Sequence, residues 1–276
     1  AGMAIDGFLP RSLRDTARLL DAVAGPDLGA PYCAPPMQGT YVEAMGRRPK
    51  GLKIAISTES FSGGSVHPAC AAAVERTARV LESLGHHVEA FDKKVEIDAM
   101  MRAWTYIVAC GTALSVHAKT KDPKVYLSKL YGVTIGAVRL AAKISGEDYL
   151  AAVESVHAFG RQMARHLSDI DVLVTPTLAE PPAKVGRFKP DNEDFLDYRT
   201  GPKGVFAYSP FTAVFNASGQ PAVSLPLHWT DDDLPVGVHL AASFGDDELL
   251  MGLSAQLEEA MPWAEQQLSL IRKLSA

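Results

Sequence analysis

The side chains of this sequence that are capable of chemistry are dispersed, and their spacing limits what each can do. Cysteines stand at Cys33, Cys70 and Cys110. With no Cys-x-x-Cys pair, neither a zinc ribbon nor a redox dithiol is supported, and an odd, wide spacing is no disulfide framework. Of the eight histidines, His86 and His87 are neighbours on an expected strand and point to opposite faces. His157 and His166, nine apart on a helical stretch, also face opposite sides, and no His-Glu-x-x-His occurs. No metal site is expected, and nothing implies a cofactor. Asp231-Asp232-Asp233 lacks the further spaced oxygen ligands of a calcium loop and reads as a solvated hairpin turn.

Nucleophiles are equally sparse. There is no Gly-x-Ser-x-Gly elbow; the nearest feature is Ser62-Gly63-Gly64-Ser65, between a strand and a helix. It fits a catalytic serine turn, an anion nest or simply a flexible connection. Cys110 lies on an apolar helical segment beside Gly111-Thr112, which suits either a pocket-facing thiol or a buried structural one. Asn216-x-Ser218-Gly219-x-Pro221 is the best local candidate for binding. Asn and Gly tolerate left-handed backbone and Pro221 fixes the chain before a strand, so polar backbone groups can be aimed at a ligand; a tight helix-to-strand connection explains it equally.

The elements that must position these groups follow from the apolar patterning. A helix runs from about Ser12 to Ala24, with Ser12 as N-cap, Asp15 in the first turn and a stripe of Leu13, Ala17, Leu20 and Val23. Pro26 to Gly51 is Pro- and Gly-rich and reads as an irregular surface connection. Leu52–Ser57 and His87–Phe91 are strands flanking a helix that starts at Pro68 and ends at Gly85, an arrangement that makes the strands parallel. Residues 95–167 are largely helical, and Asp171–Thr175 is a short buried strand. Thr177 to Pro210 is rich in Pro and charge; its length favours a functional or partner-covered segment. Strands at Ala222–Leu227 and Pro235–Ser243 and an amphipathic helix at Asp246–Ala260 complete the pattern.

Composition bounds the class of protein. The chain has 276 residues, 47% hydrophobic and 21% charged, enough for a core without disulfide or metal. A net charge of −5 argues against nucleic acid as partner. No apolar run is long enough for a membrane span, no signal peptide is visible, and the cysteine usage indicates a cytoplasmic protein.

Several blocks resemble the amidase signature family. They are Arg11-Ser12-Leu13-Arg14-Asp15-Thr16-Ala17, Val66-His67-Pro68, Asp171 to Thr177, Phe215 to Pro226, Leu234-Pro235-Val236-Gly237-Val238, and Ala260-Met261-Pro262-Trp263. They keep the family order over nearly the whole chain. The resemblance implies an α/β fold, the C-terminal part of one amidase domain, with a mixed, mainly parallel sheet flanked by helices. Its segments are 1–51 (helix and Pro-rich connection), 52–91 (strand–helix–strand), 95–167 (helical) and 171–276 (α/β). It also implies hydrolysis of carboxylic amides through a serine acyl-enzyme.

Family members use a Ser–Ser–Lys triad lying upstream of the Arg-Ser block, two of the three in a Gly- and Ser-rich signature that this sequence lacks. No residue here is therefore expected to be catalytic, and the chain alone is expected to be inactive. The family pattern makes Cys110, Tyr208, Phe211, Phe215 and Asn216 the expected pocket wall for a small-molecule amide. The expected partners are the missing N-terminal part of the enzyme and, through uncovered apolar strands, a second copy. The alternative is a catalytically silent, stand-alone binding or interaction module derived from the fold. The mainly apolar runs Leu52–Ile56, Val172–Val174 and Val223–Leu225 favour the truncated enzyme, because such strands should be covered on both sides.

Overall fold

Alternation along the central strands decides the layering. The computed structural model describes residues 2–275; Ala1 and Ala276 lie outside the described residues. In chain order the elements are α1 (Leu13–Val23), α2 (Tyr41–Ala44), β1 (Lys53–Ile56), α3 (Pro68–Ser83), β2 (His87–Ala90), α4 (Ile97–Lys119), α5 (Pro123–Lys129) and α6 (Gly132–Ala141). There follow α7 (Gly146–Leu167), β3 (Val172–Pro176), α8 (Phe195–Thr200), α9 (Val205–Tyr208), α10 (Thr212–Ser218), β4 (Ala222–Trp229), β5 (Pro235–Ala242), α11 (Asp247–Ala260) and α12 (Ala264–Ser275).

The strands form one mixed sheet in the order β2-β1-β3-β5-β4. β1 runs parallel to both β2 and β3, whereas β5 is antiparallel to β3 and to β4. Ile54, Val172, Val174, Leu240 and Ala242 face α3 and α11, packing with Val74, Leu81, Leu253 and Leu257. Ala55, Leu173 and Ala241 face the opposite way, against Met100 of α4, Met163 of α7 and Phe215 of α10. The continuous apolar runs of β1 and β3 thus reflect burial on two faces. At the far edge, among the described residues, β4 pairs with β5 alone, and its ladder shifts register between Leu225 and His228, around Pro226. Proline has no N–H to donate, so it belongs on such an edge.

Local chemistry sets the helix ends. Ser12 Oγ accepts from Asp15 N at 3.2 Å, and Ser145 with Asp148 forms a reciprocal capping box on α7. The apolar stripe of α1 stops short of Val23, which is exposed. α1 docks on the C-terminal region: Leu13 N donates to Glu258 Oε1 at 3.2 Å and Trp263 Nε1 donates to the Arg11 carbonyl at 3.1 Å.

Three stretches depart from the sequence expectation. The Pro-rich connection contains α2, which a Thr40–Glu43 capping box stabilises despite its shortness. The segment after β3 is not structureless: it carries α8 and α9 and is pressed onto α6. A Cβ on Gly132 or Gly136 would collide with the backbone of Asp191 and Glu193, and Val133 N donates to the Pro190 carbonyl at 2.9 Å. Finally, α12 extends beyond the last patterned helix and buries none of its residues, although Leu268, Ile271 and Leu274 recur along one side of it. Among the described residues, no helix is long and apolar enough to cross a membrane.

Candidate substrate cleft

α10 ends where the chain must turn back into the sheet. Gly219 takes φ +81° and its N–H donates to the Phe215 carbonyl at 2.8 Å; Pro221 then leads into β4, its carbonyl accepting from Ala242 N at 3.2 Å. A left-handed residue at this cap is natural for glycine. This turn brings Phe215, Asn216 and Gln220 to one side of a cleft of about 540 Å³. The opposite side comes from the Gly2–Gly7 segment and α1, and the floor from His239 of β5 and the start of α11. Asn216 Nδ2 donates to the Met3 carbonyl at 3.0 Å, tying the two sides together. Ser218 Oγ donates to Gln220 Oε1, which orients the nearly buried amide.

His239 is the most unusual group in the cleft. Its ring lies 5.2 Å from that of Phe215, and Nδ1 has no hydrogen-bond partner. Burial alone pushes its pKa down to about 4, so it is neutral near pH 7. Ser254 Oγ, also buried and lining the cleft, is unpartnered as well. At the mouth, burial raises the Asp247 carboxyl, and burial together with Asp247 raises the Tyr41 phenol. Sequence reasoning missed this floor. Strand alternation indicates which face His239 takes, but not that α10 covers it.

The five residues expected on a pocket wall separate in space. Phe215 and Asn216 line the cleft together. Phe211 is fully buried, edge-on to Phe61 at 5.5 Å, and packs in the core. Tyr208 holds the segment after β3: its Oη accepts from Ala183 N at 3.0 Å, and its ring packs against Phe188 and beneath Arg187. Arg187 in turn makes a bidentate pair with Glu180 at 2.5 and 2.7 Å. Cys110 is half-buried on α4, one turn beyond Ile107, whose side chain packs with Met3 of the cleft. Desolvation raises its pKa, which disfavours the thiolate that a nucleophile needs. Buried Cys70 is pushed up further, to about 11, mainly by burial and then by Glu180. Ser60 and Ser62 hydrogen-bond each other at 2.9 Å in the Gly-rich turn before α3. Among the described residues no cluster of three or more His, Cys, Asp or Glu could hold a metal.

With the geometry in place, comparison with known proteins is informative. A family model described as Amidase matches residues 1–251. The chain belongs to the amidase family. The 6-aminohexanoate-cyclic-dimer hydrolase of Paenarthrobacter ureafaciens is 29% identical over 286 residues, covering 100% of this chain and 58% of that protein. A solved 6-aminohexanoate cyclic dimer hydrolase superposes with a TM-score of 0.84 at 28% identity, over 92% of this chain and 54% of that one. A bacterial aryl acylamidase of the amidase signature family gives a TM-score of 0.77 at 23% identity, over 93% and 53% of the two chains; this likeness concerns the fold alone. The amidase chain described here spans about half the length of the relatives it matches.

Proposed function

We propose that this chain supplies the substrate-binding wall of an amide hydrolase working through a serine acyl-enzyme, with the nucleophilic serine, bridging serine and lysine lying outside its residues. The observation that carries this reading is the cleft itself, walled by Phe215 and Asn216 and floored by the buried His239. Ordinary serine attacks an amide only if a positioned group takes its proton and later delivers it to the leaving nitrogen. His239, with a pKa near 4, is too weakly basic for that at neutral pH. Phe215 and Asn216 are placed to contact the substrate. The hydrolysis of a cyclic amide by a relative supports a small-molecule carboxylic amide as substrate. The free cysteines support a reducing, cytoplasmic setting. The open edge of β4 supports pairing with the missing part of the enzyme or with a second copy.

The test begins with the intact mass of every species in the purified sample, followed by assays on cyclic, aryl and aliphatic amides. A single species of this chain's mass should hydrolyse none of them. Adding a polypeptide that carries the Gly/Ser-rich signature should restore turnover, and Phe215→Ala or Asn216→Ala should then raise KM. Hydrolysis by the chain alone would overturn the proposal. Stable assembly with that polypeptide but no turnover would instead favour a silent binding module.

A further inference from the structure

The cleft between α10, β5 and the Gly2–Gly7 segment is lined by two kinds of polar chemistry. Towards the solvent stand the carboxylates of exposed Asp6 and of Asp247. The wall and floor around the Phe215 ring are polar but uncharged, made by Asn216, Gln220 and His239. Leu250 and Met251 add apolar wall. Among the described residues, no lysine or arginine lines the cleft.

The protein engages each of the three neutral side chains only in part. Asn216 commits Nδ2 to the Met3 carbonyl, and Gln220 accepts from Ser218 Oγ at Oε1. That leaves Asn216 Oδ1 as an acceptor and Gln220 Nε2 with N–H groups to donate. His239 is 5% exposed and no hydrogen bond reaches its Nδ1. Nothing on that side fixes the ring, and a half-turn about Cβ–Cγ brings either nitrogen to the cleft. Burial keeps the imidazole neutral near pH 7, so it carries one donor and one acceptor nitrogen. An orphaned polar group beneath an aromatic ring weakens the fold, and a partner from outside the chain relieves it.

We propose that Asn216, Gln220 and His239 form a recognition subsite for a second, uncut carboxamide, so that the substrate class is a neutral compound with two amides and not an amide acid. A carboxamide offers a carbonyl to Gln220 Nε2 and an N–H to Asn216 Oδ1 or to the imidazole. A carboxylate of the same shape has no hydrogen to donate, finds no cation on these walls and is repelled by Asp6 and Asp247. Sites whose buried polar groups are left unpaired by the wrong ligand discriminate strongly against it. The designation of this amide as uncut rests on the amide-hydrolase reading above; the preference for carboxamide over carboxylate does not.

Two measurements separate these parts. In calorimetric titration of the chain, hexanamide should bind one per chain, and hexanoate at least about tenfold more weakly. Gln220→Met and His239→Leu should each cut that preference several-fold, and His239→Leu should melt no lower than the wild type because it removes an orphaned group. No binding of hexanamide, equal binding of the two ligands, or an unchanged preference in a folded variant would overturn the subsite. The second measurement uses the chain assembled with the polypeptide that carries the Gly/Ser-rich signature. There Gln220→Met should raise KM for hexanediamide about tenfold more than KM for hexanamide, whose only amide is the one cut. Equal rises would overturn the second-amide assignment. Absence of turnover with the binding preference intact would overturn the hydrolase reading and leave the carboxamide preference supported.

Discussion

His239 illustrates how one residue can make the cleft sensitive to acid. Its folded pKa, near 4, lies below the ordinary value of 6.5, so the unfolded chain binds a proton that the folded chain refuses. The group costs nothing above pH 6.5, and stability falls as the pH drops towards 4, by about 3 kcal/mol if the whole shift is expressed. His86, His166 and His228 are lowered by burial and act in the same direction, whereas the raised Asp246 and Asp247 oppose them at lower pH. Urea unfolding of the wild type and His239→Gln at pH 7 and pH 4.5 should show a smaller acid loss in the variant. Equal losses would mean that His239 is solvated and the cleft floor open. Phe215, which covers the ring, should tie the two effects together: Phe215→Ala should bring the histidine closer to its ordinary titration and reduce the same acid loss.

At the scale of elements, caps and close approaches carry the testable content. Ser12→Ala removes the acceptor for Asp15 N, which should cost about 1 kcal/mol and lower Tm by about 2–4 °C in thermal unfolding. Gly136→Ala places a Cβ against the Glu193 backbone. Limited proteolysis should then cut faster within residues 184–194, with α6 itself retained; unchanged cleavage would show that the segment is held elsewhere. Legibility in the sequence follows the same division. β1 and β3 were readable because two-sided burial leaves continuous apolar runs, and the β4–β5 hairpin because three aspartates mark its turn. α8 and α9 were not, since Phe195 and Phe206 are isolated anchors without a helical period. Of the cleft, Asn216 to Pro221 was readable because Asn, Gly and Pro restrict the backbone locally. Phe211 and Tyr208, expected on the pocket wall, do not line this cleft, because whether an aromatic residue lines a cavity or fills a core depends on elements distant in sequence.

For the molecule as a whole, the unsatisfied part is the outer edge of β4. Ala222–Leu225 has no second partner strand among the described residues, while Pro226 and the adjoining irregularity blunt the remainder. Sedimentation should reveal concentration-dependent self-association that Val223→Lys diminishes; a monomer at all concentrations would mean that the short edge is already sufficiently protected. Another consequence concerns time. Arg11 and Trp263 meet across 252 residues, and Leu13 and Glu258 across 245. On a ribosome adding about 5–20 residues per second, α1 must wait roughly 12–50 s before its docking site is synthesised. Throughout that interval the apolar stripe of α1 has only α2 as native cover, through Ala44, Tyr41 and Met45, and the side that docks on Met251 and Ala255 stays open.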